Sequence, residues 1–183
     1  MADYPKVRRK DREATEVEFY KTMLAQTASC AISMVDANGN PYVNTNFFLY
    51  DDAEDIFYFH TAGNGYTRSI LEHNNNVCIS VSKIGRLYPA KKPVDFGTEY
   101  YSVTIFGNVT VVEDDAAILN FFTRFLRKYF SHISPAEYGP VDIRDAKRAT
   151  VYKVAISNWT AKVHEVDKDY PGAVYYHDVN KQA

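Results

Sequence analysis

The sequence predicts a mainly β protein in which six antiparallel strands close a small barrel flanked by helices. Three observations carry that expectation. The chain has 15 Tyr and 11 Phe against one Trp, and aromatic residues suit the pleated, half-buried surface of a sheet. Several segments alternate apolar and polar residues with a period of two, the strand period. Successive strands are joined by short turns, which favours antiparallel pairing over a βαβ stack. Six short strands suffice to close such a sheet and hide its edges.

The elements follow in order. Residues 1–14 form a polar arm with a basic run from Lys6 to Arg12. Thr15 and Glu18 have capping-box spacing, and Val17, Tyr20, Met23 and Leu24 recur at helical intervals, predicting a helix over 15–26. Residues 27–35 alternate, with Ala28, Cys30, Ile32 and Met34 on one face. Asn38-Gly39 is a strong hairpin turn signal. The returning strand, 42–50, puts Val43, Thr45, Phe47 and Leu49 on one face and Tyr42, Asn44, Asn46, Phe48 and Tyr50 on the other. An acidic turn leads to a strand over 56–61. A short helix follows Gly65, runs through Ile70 and Leu71, and stops at Asn74-Asn75-Asn76. A strand over 77–82 precedes a loop over 84–97 with two prolines and two lysines. A long strand, 100–112, is expected to bulge or bend at Gly107. Helix 115–130 carries the apolar stripe Ile118, Leu119, Phe122, Phe125, Leu126 and Tyr129. A turn-rich linker over 131–148, a strand over 149–157 and a surface tail beyond about 166 complete the chain.

Composition narrows the function. At 183 residues the chain reads as one domain over 1–183, with an arm over 1–14 and a tail over 167–183. Hydrophobic residues at 46% and charged residues at 24% describe a globular rather than a disordered chain. A net charge of −2 supplies no global field for nucleic acid or an acidic membrane. The polar start lacks a secretory h-region and no stretch reaches transmembrane length, so the expectation is a cytoplasmic protein. Cys30 and Cys78 sit in separate apolar runs, fit no CxxC or zinc spacing and read as buried free thiols. Five histidines without ligand spacing predict no metal. Dinucleotide, P-loop, zinc-protease and hydrolase motifs are absent.

One segment offers chemistry. The strand from Ile56 to Thr61 runs into Ala62, Gly63, Asn64 and Gly65 and then into a helix. Free N–H groups at a helix start attract anions, and Thr61, Thr67, His60 and Arg68 add donors and charge suited to a phosphomonoester. The same pattern is also that of an ordinary structural turn. Asn44 and Asn46, on one strand face, offer either a heterocycle's partners or a solvated edge. Trp159 offers either a stacking surface or burial against the barrel.

Taken together, several pieces resemble a known family. They are Arg8-Arg9-Lys10-Asp11-Arg12, Gly39-Asn40-Pro41-Tyr42-Val43, Tyr58-Phe59-His60-Thr61-Ala62 with Gly65, and Asn76-Val77-Cys78. Further on come Tyr100-Tyr101-Ser102-Val103 with Phe106-Gly107, and Ile156 with Trp159-Thr160-Ala161-Lys162. Their collinear order resembles the pyridoxamine-phosphate-oxidase-like FMN-binding split barrels, and within them the nitroimidazole-resistance proteins. The resemblance implies a homodimeric split β-barrel with flavin mononucleotide (FMN) at the subunit interface. It implies that Thr45, Asn46 and Phe47 border the ring, and that His60, Thr61, Ala62, Gly65, Tyr66, Thr67 and Arg68 face the ribityl phosphate. Residues around Tyr101 and Ser102 of the partner subunit, and Trp159, would complete the pocket. Family members often carry Lys or Arg one or two residues after the glycine, where this chain has Tyr66 and Thr67, so Arg68 becomes the replacement cation to test. The implied activity is flavin-dependent reduction or oxidation of a small aromatic or nitro compound, with His60 as the catalytic candidate. The alternative is a non-catalytic flavin- or haem-binding protein of the same fold.

Overall fold

In the computed structural model, which describes residues 4–179, the alternating segments form strands β1 (Glu13–Ala14), β2 (Ser29–Val35), β3 (Pro41–Asp51), β4 (Ile56–Ala62), β5 (Asn76–Tyr88), β6 (Gly97–Val111), β7 (Ala149–His164) and β8 (Val174–Tyr175). Residues 1–3 of the arm and 180–183 of the tail lie outside the described residues. The helices are α1 (Val17–Gln26), α2 (Tyr66–His73), α3 (Asp115–Tyr129), α4 (Ile143–Ala146) and α5 (Tyr176–Val179). Pairing runs β7–β4–β3–β2–β5–β6 and back from β6 to β7, all antiparallel, so six strands close a barrel. β1 joins beside β7, and β8 beside β5.

Strand alternation decides what lies inside. Cys30, Ile32 and Met34 of β2, Phe48 of β3, Phe57 and Phe59 of β4, and Tyr152 and Val154 of β7 are buried in one core. Phe48 stacks on Phe57 at 4.7 Å and Phe59 on Tyr152 at 4.8 Å between ring centroids. The helix α1 adds Tyr20, Met23 and Leu24 to this core, and α2 adds Ile70 and Leu71. The helix α3 packs outside the barrel, burying Ile118, Phe121 and Phe125 against Leu49 and Val151. Its first turn is capped by the Asp114 carboxylate, which accepts from the Ala117 N–H at 2.7 Å.

Three departures from the sequence expectation have clear causes. The helix α1 starts at Val17, with Glu16 as its N-cap and no side-chain cap bond, so the Thr15 capping box does not form. The preceding residues Glu13 and Ala14 are held extended by pairing with Lys162 and Ala161, and that conformation carries through Glu16. The strand β7 runs on to His164 because the register with β6 shifts at Phe106/Gly107. A bulge adds one residue and switches which parity faces inward. Buried Tyr152 and Val154 are thus followed by Trp159 and Ala161 on the core side, hiding one strand's alternation behind a phase change. A side chain at Gly107 would collide with the Ala155 carbonyl, which explains glycine at the bulge.

The predicted loop over 84–97 is shorter, because β5 runs on to Tyr88 and β6 starts at Gly97, leaving 89–96 as the connection. The Arg86 guanidinium donates to the Glu99 carboxylate from Nε at 2.9 Å and Nη2 at 2.6 Å, and to the carbonyls of Val166, Asp167 and Lys168. This network locks the β5–β6 arm and straps the segment after β7 onto it. Hydrogen bonding from Arg86 holds the Glu99 carboxyl at about 2, against an ordinary 4.5. A carboxyl held low in the folded state stabilises above its unfolded value and loses that contribution as pH falls towards the folded one. Amide protection over residues 166–175, relative to the intrinsic exchange rate, is therefore expected to fall as pH drops from about 4.5 towards 2. In Glu99→Gln that acid-dependent step should vanish.

Candidate functional site

The β4–α2 connection is built to present backbone donors. Gly63 N–H donates to the Arg148 carbonyl at 3.0 Å, pinning the loop to the start of β7. Gly65 adopts φ 155°, a conformation open to glycine and strained for other residues. As the N-cap of α2 it has no side chain to cap the helix, so the first N–H groups of that helix lack intrahelical partners. Arg68, one turn in, donates from Nη1 to the Gly63 carbonyl at 3.0 Å and the Thr150 hydroxyl at 3.1 Å. Its Nε donates to Glu72 at 2.8 Å. No protein partner takes Nη2 among the described residues. A helix start with free N–H groups and an adjacent guanidinium fits a phosphate monoester, while the Glu72 carboxylate offsets part of the charge.

The other residues divide around this loop. Tyr66 is half-exposed, donates its hydroxyl to Asp36 at 2.7 Å and lies edge-on to Tyr42. Thr67 is buried, and its hydroxyl accepts from Asn44 Nδ2 at 2.8 Å. Thr61 donates to the carbonyl of Ala62 at 2.9 Å. His60 points to the opposite face of β4 from Thr61, as consecutive strand residues must. There it is boxed edge-on by Phe121, Phe122 and Phe125 at 5.6, 5.4 and 5.1 Å. Burial lowers its pKa, and its Nδ1 is buried without a partner. The structure sets Gly65, Tyr66, Thr67 and Arg68 at the start of α2, ties Arg68 to Thr150, the residue that pairs with Thr61, and carries His60 away from them, under α3.

Residues expected at the ring also separate by parity. Thr45 and Phe47 face outward on β3, whereas Asn46 faces the barrel interior opposite Cys30, with its Nδ2 buried and unpartnered. Trp159 stacks on Tyr20 at 4.6 Å. Tyr101 donates to Glu165 at 2.5 Å, while its neighbour Ser102 lies on the outer face beside Lys162. Within one chain, none of these three reaches the β4–α2 loop through a hydrogen bond. Residues the sequence reading missed are Thr150 and Glu72, which hold Arg68. Glu72 was legible as an i,i+4 partner, but Thr150 reaches the loop only through β4–β7 pairing.

The profile of the pyridoxamine 5'-phosphate oxidase family matches residues 16–163. The chain belongs to that family. Among curated proteins none matches its sequence. A structure described as a candidate 5-nitroimidazole antibiotic resistance protein from Bacteroides thetaiotaomicron aligns with TM-score 0.67 and 24% identity, over 82% of this chain and 86% of that one. The flavocytochrome Anf3 from Azotobacter vinelandii aligns with TM-score 0.76 and 22% identity, over 93% and 83%. An FAD and heme binding protein from Mycobacterium smegmatis aligns with TM-score 0.75 and 18% identity, over 94% and 80%. At these identities the family's split-barrel fold is what the structures share with this chain. No helix among the described residues is long and apolar enough to cross a membrane.

Proposed function

We propose that the protein is a cytoplasmic FMN-dependent oxidoreductase acting on a small aromatic or nitro compound, working as a homodimer with the cofactor between subunits. The observation that carries the reading is the β4–α2 loop: a glycine-opened, uncapped helix start with the Arg68 guanidinium beside it. There the N–H groups of Tyr66, Thr67 and Arg68 and the free Nη2 would hold the phosphate. Bound flavin supplies hydride or electron transfer, and the protein supplies position and electrostatics. Thr45 and Phe47 would border the ring. The outer face they share includes Val43 at 56% exposure and Phe47 at 48%, apolar area a second copy would cover. Only a second copy would bring Ser102 and its neighbourhood to this loop.

Purified protein should be yellow, and FMN should raise its melting temperature, with saturation at a hundredfold Kd worth about 2.7 kcal/mol. Light scattering should give twice the 20.9 kDa chain mass. A colourless protein that FMN does not stabilise would reject the cofactor assignment. The Arg68–Glu72 pair supports a second reading, a non-catalytic flavin or haem carrier, because it leaves less net charge for phosphate. Reduction by NADH or NADPH with turnover of a nitroaromatic acceptor decides for the enzyme; tight binding without turnover decides for the carrier.

A further inference from the structure

Two loops of this chain carry an asparagine directly followed by glycine: Asn38-Gly39 in the β2–β3 hairpin and Asn64-Gly65 ahead of α2. In such a pair no Cβ shields the glycine nitrogen, which is free to attack the asparagine side chain. Both pairs are exposed, and a side chain at either glycine would meet nothing within 4 Å, so access does not separate them. Hydrogen bonding does. At the hairpin the Gly39 N–H donates to the Asp36 carbonyl at 3.0 Å, and the N–H groups of Asn38 and Asn40 both donate to Asp36 Oδ1 at 2.8 Å. The attacking nitrogen is therefore tied, and a carboxylate beside it repels the anion that attack requires. Ahead of α2, neither the Gly65 N–H nor the Asn64 side chain has a hydrogen-bond partner among the described residues. Gly65 is the N-cap at the positive end of α2, and Arg68 reaches back to the neighbouring Gly63 carbonyl, so an anion formed here is stabilised.

We propose that Asn64 converts to aspartate and isoaspartate without an enzyme, and that the new carboxylate weakens the loop's hold on phosphate. Hydroxide takes the Gly65 amide proton, the nitrogen bonds to Asn64 Cγ, and the Cγ–Nδ2 bond breaks to release ammonia. Water then opens the resulting succinimide at either carbonyl, so the net change is water in and ammonia out. One opening leaves aspartate; the other leaves isoaspartate, which carries the side-chain carbon in the backbone. Either product places a negative charge one residue before the α2 N-cap, where it competes with phosphate for Arg68 and the helix end. The effect on phosphate rests on the FMN reading of this loop; the conversion itself does not.

Peptide mass mapping of FMN-free protein, held at mildly alkaline pH, follows both asparagines in one sample. Asn64 should convert about three- to tenfold faster than Asn38, the margin of one hydrogen bond that must break first. Equal rates, or faster conversion of Asn38, would overturn the proposal. Asp36→Ala, which removes the carboxylate that fixes the hairpin turn, should bring the Asn38 rate towards that of Asn64, and an unmoved rate would overturn the hydrogen-bond account. In titrations, Asn64→Asp should bind FMN about fivefold more weakly than wild type, with riboflavin unchanged and Asn64→Gln close to wild type for both. Full FMN affinity in Asn64→Asp, or an equal loss for riboflavin, would overturn the effect on phosphate. A wrong cofactor assignment shows differently, as wild-type protein that binds no FMN while Asn64 still converts ahead of Asn38.

Discussion

Phe59→Ala is expected to destabilise the protein by about 3–5 kcal/mol, the cost of emptying a large buried site in a core that relaxes only partly. Phe59 is 0% exposed, stacks on Tyr152 at 4.8 Å, and sits on β4 at the junction with β3 and β7. Its neighbour Phe48 pairs with it across β3 and stacks on Phe57, so a cavity at residue 59 also loosens that second stack. For a chain of this length the melting temperature should fall by roughly 6–20 °C. Phe59→Leu, which keeps much of the volume, should cost less than half as much. Thermal or urea unfolding checks both. A loss of under about 1 kcal/mol would mean the stacked layer is not the keystone of the barrel.

Arg68→Ala is expected to weaken FMN binding by about tenfold to a hundredfold, the range of a lost charge-assisted contact to phosphate. Riboflavin, which lacks the phosphate, should bind wild type and variant equally, separating the phosphate contact from general loosening of the loop. That control matters because Arg68 also ties the Gly63 carbonyl to Thr150. Glu72→Gln should act oppositely and tighten FMN by a few-fold, since Glu72 is the carboxylate competing for the guanidinium. Full FMN affinity in Arg68→Ala would remove this residue from the site, and an equal loss for riboflavin would make its role structural.

Much of the barrel was legible because burial on one face forces period-two alternation. Cys30, Ile32 and Met34, and the split of β3 between Asn44, Asn46 and Phe48 inside and Val43, Thr45 and Phe47 outside, follow from it directly. The Asn38-Gly39 turn likewise fixed the first hairpin, with Gly39 at φ 84°. What stayed hidden was long-range. The bulge at Gly107 broke the phase of β7, and the Arg86–Glu99 network keeps β5 paired with β6 as far as Tyr88, up to the proline- and lysine-containing connection over 89–96.

At the candidate site the same division holds. The sequence by itself determined that a glycine turn opens a helix beside Arg68, because turn chemistry and helix starts are local. Only the tertiary structure decided which side chains face that turn. Strand parity and the packing of α3 put His60 among Phe121, Phe122 and Phe125 on the far face of β4, while β4–β7 pairing brought Thr150 to Arg68. A one-residue step along a strand moves a side chain to the opposite face, and which face a neighbouring helix covers is written in contacts far apart in the chain.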